Sequence, residues 1–122
     1  MGRNGFTLVE VLIVVIIIGI LAAIGIPQFA DSIEKAKGGE AMAGLGHIQT
    51  GEKIYYAENE VYTADWAADL DISLTERFWT FTIVTPGQTY VATATRSGGS
   101  RANQTLTMNE TGTMGGTWDF AP

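Results

Sequence analysis

From Phe6 to Ile26 the chain is apolar almost without interruption, with Glu10 as the one charge and no polar face recurring at helical spacing. These 21 residues rise about 31 Å as an α-helix, against a bilayer hydrocarbon core of roughly 30 Å. A helix apolar on every side must be surrounded by lipid or by other protein. Pro27 closes the run. It removes a backbone donor and crowds the preceding turn, so a kink is expected at Gly25-Ile26-Pro27, with Gly19 a second weak point upstream.

Beyond the proline the pattern changes but the helix is expected to continue to about Tyr56. Met42, Leu45, Ile48, Glu52 and Tyr55 recur at steps of three and four, which predicts an amphipathic half over residues 28–56. Glycines 38, 39, 44, 46 and 51 fall within it, each costing about 1 kcal/mol relative to alanine in a helix interior. Two readings stand for them. They let a sheet or a neighbouring helix approach closely, or they make the helix extensible under load.

Residues 57–122 switch to a period of two. A loop from Thr63 to Glu76 precedes Phe78-Trp79-Thr80-Phe81-Thr82-Ile83-Val84, where Trp79, Phe81 and Ile83 share one face. Pro86-Gly87 signals a turn, and Tyr90 to Arg96 reads as the returning strand. Ser97-Gly-Gly-Ser100 breaks the chain, Thr105 to Asn109 alternates again, and Thr117 to Phe120 reads as a closing strand. The expected fold is therefore α+β: a long N-terminal helix against a three- to four-stranded antiparallel meander, one face of which the helix covers.

Glu10 is the residue that needs a reason. Thr7-x-x-Glu10 fits a capping box, and an acid in the first turn also gains about 0.3–1 kcal/mol from the helix dipole. A charge within a membrane helix costs up to about 2.5–3.5 kcal/mol at the centre and less near an end, and it usually marks function. Capping explains how the acid is tolerated; a cationic partner would explain its presence. A cleaved secretory signal fits poorly, because no Ala-x-Ala stands at the end of the run and the nearest such triplet, Ala41-Met42-Ala43, is too distant.

Gly5-Phe6-Thr7-Leu8-Val9-Glu10, the apolar run through Gly19-Ile20-Leu21-Ala22-Ala23-Ile24, and Ile26-Pro27 together resemble the N-terminus of type IV pilins and type II secretion pseudopilins. The resemblance covers about residues 1–35. It implies a leader over residues 1–5, cut between Gly5 and Phe6 by a prepilin peptidase, with N-methylation of the new Phe6 amine. It implies a membrane-spanning or filament-core helix over 6–27, the amphipathic half over 28–56, and a loop-plus-sheet domain over 57–122, the pilin fold. Glu10 would pair with the Phe6 amine of a neighbouring subunit, the implied partners being identical or related subunits and an inner-membrane assembly platform. The subunit would sit in the bacterial inner membrane, N-terminus inside, before joining a surface pilus, or a periplasmic filament in the case of a pseudopilin. The flanking charges, Arg3 before the span and Lys35 and Lys37 after it, do not fix that orientation.

The remaining chemistry is sparse. The net charge of −6 argues against nucleic acid as the main partner. There is no cysteine, so the C-terminal region has no disulfide. His47 is the only histidine; it borders the helical stripe and reads as a half-buried helix residue rather than a ligand. No serine has a base nearby in sequence, and no enzyme activity is expected. No cofactor is expected either, save that Asp65, Asp69, Asp71 and Glu76 are dense enough in oxygen to hold Ca²⁺, although their spacing matches no EF-hand. Asn103-Gln-Thr105 and Asn109-Glu-Thr111 fit the glycosylation triplet. Three functions stay open: a pilus subunit for adhesion, motility or DNA uptake; a secretion pseudopilin forming a short piston; and a membrane-anchored binding domain. Phe6 and Glu10 argue against the last, since an isolated anchor needs neither.

Overall fold

A computed structural model describes residues 5–122. One helix, α1, runs from Leu8 to Asn59, and Pro27 lies inside it without interrupting it. The chain divides into two units, residues 1–34 and 35–122. In the first, the apolar side chains of α1 touch nothing that would shield them: Val11 to Ile24 are each about half exposed or more wherever they are large. The second unit contains the packed half of α1, a short helix α2 (Trp66–Asp69), and four strands: β1 (Trp79–Val84), β2 (Val91–Arg96), β3 (Thr105–Asn109) and β4 (Met114–Gly115). The sheet order is β1-β2-β3-β4 and every pairing is antiparallel. This is the expected α+β meander with one helix across it.

Alternation builds the core as expected. Trp79, Phe81 and Ile83 point inward from β1 while Thr80, Thr82 and Val84 face out. From β2 the inward residues are Ala92 and Ala94, and Leu106 follows on β3. Leu45 and Ile48 meet them from α1. Small residues on the central strand bring helix and sheet close together.

The buried face of α1 is not quite the expected stripe. It comprises Gly38, Ala41, Gly44, Leu45, Ile48, Gly51 and Glu52, whereas Met42 is 47% exposed and Tyr55 is half-buried. The glycines account for the rotation. The Phe81 ring occupies the space a side chain on Gly44 would need, Trp118 Nε1 lies 3.2 Å from the Cβ position of Gly38, and Leu70 lies 3.1 Å from that of Gly51. At these three positions the close-approach reading describes the packing. Gly39 and Gly46 face open space. His47 is exposed rather than half-buried.

The chain leaves α1 through Glu60, whose φ of 59° is left-handed, a conformation that often terminates helices. Glu60 N donates to Tyr56 O at 2.7 Å, and Gln88 Nε2 donates to Glu60 O at 2.9 Å, which ties the helix end to the β1–β2 hairpin. The last segment departs from expectation. Thr117–Phe120 is not a strand; β4 is Met114–Gly115. The reason is a close backbone contact: Gly116, at φ 117°, passes so close to the Thr105 carbonyl that no side chain fits there. The chain then turns, Trp118 N donates to Thr105 O at 2.9 Å, and the Trp118 indole packs edge-on to Trp79 with ring centres 4.8 Å apart.

Candidate functional site: the exposed apolar helix and its acid

The N-terminal segment has the form that the Thr7-x-x-Glu10 pattern requires. Thr7 Oγ1 accepts from Glu10 N at 3.1 Å, and Val11 N donates to Thr7 O at 3.2 Å. The hydroxyl of Thr7 thus satisfies one of the free N–H groups at the helix start. Glu10 sits in the first turn with its side chain exposed. Phe6 is 81% exposed and Leu8 86%. Within the 18-residue window that could cross a bilayer, nothing is buried.

An apolar helix of this kind cannot stand in water. Exposed contiguous apolar surface beyond a few hundred Å² marks a membrane or protein contact, and here it surrounds the helix. Its chemistry is simple: a hydrocarbon surface carrying one carboxylate, one turn in from the Gly5–Phe6 bond. No atom lies within 4 Å of the position that a side chain on Gly5 would take, and Gly5 and Phe6 are both exposed. Met1 to Asn4, the rest of the expected leader, lie outside the described residues.

The four acids considered for calcium are not brought together. Asp65 caps α2 by accepting from Ala68 N at 3.1 Å, Asp69 accepts from the Thr63 hydroxyl, and Glu76 accepts from Phe81 N at 3.1 Å. Asp71 adopts a left-handed φ of 49°. Among the described residues no three acidic, histidine or cysteine side chains gather as a metal site. Asp65, Asp69 and Glu76 are each held by a donor from their own stretch of chain, which is why density in sequence does not become convergence in space.

Two acids matter structurally, and the sequence alone did not single them out for it. Glu40 accepts from three successive backbone N–H groups, those of Arg77 at 3.0 Å, Phe78 at 2.7 Å and Trp79 at 3.0 Å, and so anchors the start of β1 to the helix. Glu52 is fully buried, and both its oxygens accept from Thr63 N at 3.2 Å. Burial pushes its carboxyl up to about 7, helped by the Asp69 charge and opposed by the Thr63 hydrogen bond. Nearby, burial pushes the Tyr90 phenol up to about 12. The helical spacing placed Glu52 on the buried stripe; only the fold shows what encloses it.

A long helix whose first half is apolar and exposed, with an acid at its start, and whose second half packs on a four-stranded antiparallel sheet is the α+β pilin fold. The comparisons narrow this further. Residues 27–109 match the family described as type IV minor pilin ComP, DNA uptake sequence receptor, and residues 1–26 match the prokaryotic N-terminal methylation motif. The chain belongs to the type IV pilin family. It is 36% identical over 102 residues to the type IV wide pilus major component PilA4 of Thermus thermophilus, covering 81% of this chain and 78% of that one. It is 44% identical over 68 residues to the type IV major pilin protein PilA of Myxococcus xanthus, covering 56% of this chain and 30% of that one. The fimbrial protein EcpC of Eikenella corrodens is 41% identical over 66 residues, or 54% and 43% of the two chains. The chain thus spans less than half the length of the last two relatives.

Proposed function

We propose that this chain is a structural subunit of a type IV pilus that polymerises through its N-terminal helix. The observation that carries the reading is the apolar face of α1, exposed all round in the isolated chain, with Glu10 at its start. Lipid covers that face before assembly and the helices of neighbouring subunits cover it afterwards. A prepilin peptidase cuts between Gly5 and Phe6, and the new Phe6 amine is methylated. That amine is the cation that pairs with Glu10 of a neighbouring subunit. A buried ion pair fixes register more reliably than it adds stability, and removing one partner costs about 3–5 kcal/mol. An assembly platform in the inner membrane, with the N-terminus on the inside, supplies the route from lipid to filament.

The pilus reading is favoured over the secretion piston because the relatives reported above carry pilus and fimbrial names. DNA reception is a property of the proteins that the matching family describes. A net charge of −6 supports a structural role for this chain over a receptor for nucleic acid.

The mass and first residue of the mature protein test the reading. A chain beginning at methylated Phe6, recovered in long filaments sheared from cells, is the expected result. An intact Met1 sinks the processing step. A processed chain found only in the cell envelope, with filaments absent and secretion impaired when it is deleted, transfers it to the piston class.

A further inference from the structure

Within residues 35–122, charge and apolar surface are both divided between the two ends of the sheet. At one end α1 meets the start of β1 and the end of β2, with Trp79 Nε1 donating to Lys37 O at 2.9 Å and Trp79 paired with Arg96. Cations collect there on two phenylalanine rings. Lys37 Nζ lies 5.0 Å and Arg77 Cζ 4.9 Å from the centre of Phe78; Lys35 Nζ lies 5.3 Å and Arg101 Cζ 4.7 Å from that of Phe120. Arg96 is buried and donates to the Phe78 and Ser97 carbonyls, while Arg101 pairs with Asp119 at 3.0 Å. Lys35 and Arg77 stand exposed. Beside Phe120 opens an apolar groove of about 400 Å³ lined by Lys35, Met42, Leu106, Trp118 and Phe120.

The opposite end carries the complement. There the β1–β2 hairpin meets the end of α1, with Tyr62 N donating to Gly87 O and Tyr56 hydroxyl to Gln88 Oε1. Val84 and Val91 are direct cross-strand partners on the outer face, 71% and 45% exposed, and Val61 beside Gly87 is 38% exposed. Glu58 and Glu60 are exposed around them, and Glu110 flanks the start of β2 through its bond from Tyr90 N. Between Glu40 and Arg77 the sequence has Lys53 as its only lysine or arginine, against a series of acids. One end is thus an apolar knob flanked by carboxylates; the other is an apolar groove with Lys35 on its rim, where Lys35, Lys37, Arg77, Arg96 and Arg101 outnumber Glu40, Glu76 and Asp119.

We propose that the valine end of one copy of this chain seats in the Phe120 groove of the next, with Glu58 and Glu60 facing Lys35. Because the two surfaces differ, the contact is heterologous, and its repetition without closure builds an open array instead of a dimer. Complementary charge fixes which end meets which and speeds encounter, while the apolar contact excludes water. The inference rests on the filament reading and adds to it a specific contact between the folded domains.

The test uses the full chain in cells that assemble it, with filaments quantified in the sheared fraction and processed subunit in the membrane fraction. Lys35→Glu should lower filament yield about tenfold, and Glu58→Lys with Glu60→Lys should do the same, as expected for like charges placed opposite each other. All three together should recover most of the loss. Indifference of filament yield to both reversals, or failure of the combination to recover it, overturns the contact while leaving the filament reading intact. Wild-type cells without filaments overturn both. Since the chain has no cysteine, Lys35→Cys with Glu60→Cys gives a clean second measurement in oxidised filaments. A ladder of cross-linked copies supports the contact. Dimers from Lys35→Cys alone, or no cross-link in filaments, overturn it.

Discussion

The two halves of α1 set a strong sequence signal against a weak one. Up to Ile26 the helix is rich in Val, Ile and Leu, yet it buries nothing within its own chain. From Gly38 onward it is interrupted by glycines and charges, yet it supplies Ala41, Leu45 and Ile48 to the core, each fully buried. Hydrophobicity therefore does not locate the stability of this molecule. It separates a surface reserved for lipid and other subunits from a domain that folds on itself, and the domain is built by fit, with small residues where rings must enter.

If that division is right, the largest effects should be confined to one half at a time. Glu10→Ala should abolish or nearly abolish filaments in the sheared fraction while the unfolding midpoint of the chain in detergent stays unchanged, because Glu10 belongs to the apolar unit and not to residues 35–122. Normal filament yield from that variant would break the comparison at its root. Conversely, Trp79→Ala should destabilise the domain by about 3–5 kcal/mol and leave membrane insertion intact, measured by denaturant unfolding and by membrane extraction respectively. Trp79 is fully buried, stacks edge-on to Trp118 and donates its indole N–H to Lys37 O, so a cavity opens and the tie between β1 and α1 is lost together.

Glu52 sharpens the contrast through pH. The folded domain retains its proton up to about pH 7, whereas the ordinary carboxyl value is 4.5. Between those values the folded state binds more proton than the unfolded chain, so stability falls as pH rises. The contribution is complete below about pH 4.5 and lost above about 7. Its ceiling is about 3 kcal/mol. Thermal unfolding in detergent should show a lower midpoint at pH 8 than at pH 5, and Glu52→Gln, which keeps an acceptor for Thr63 N, should flatten that slope. An unchanged slope in the variant would mean that another group carries it.

What could be read from residues alone follows the same division. The apolar span, its acid and its proline are properties of consecutive residues, as is the alternation that turned Trp79, Phe81 and Ile83 inward. The parts that could not be read depend on distant partners. Met42 falls off the buried face because Gly44 is the position that admits Phe81, and no spacing rule ranks a glycine above a methionine. Trp118 looked like a strand residue because Thr117 to Phe120 alternates; Gly116 and the Thr105 carbonyl, far apart in sequence, make it a turn. Glu40 carries no signal in the sequence, because the three N–H groups it accepts from lie at the start of β1, 37 to 39 residues away. The calcium residues are scattered for the opposite reason, since Asp65, Asp69 and Glu76 each meet a donor close by in sequence.

The smallest effects separate the glycines from one another. Gly44→Ala should destabilise by about 1–3 kcal/mol, because the added methyl meets the Phe81 ring and a closely packed core yields little. Gly39→Ala and Gly46→Ala meet nothing within 4 Å. At these positions only the intrinsic preference acts, and each should stabilise the domain by up to about 1 kcal/mol. Denaturant midpoints of the three variants in detergent should therefore differ in sign, not only in size. If Gly39→Ala and Gly46→Ala also destabilise, an interaction that the free chain lacks has not been introduced by detergent, and the helix itself must require those glycines. If they stabilise the isolated chain but lower filament yield, the open faces of Gly39 and Gly46 are places where a neighbouring subunit comes close, and the apolar and packed halves of α1 share the work of assembly.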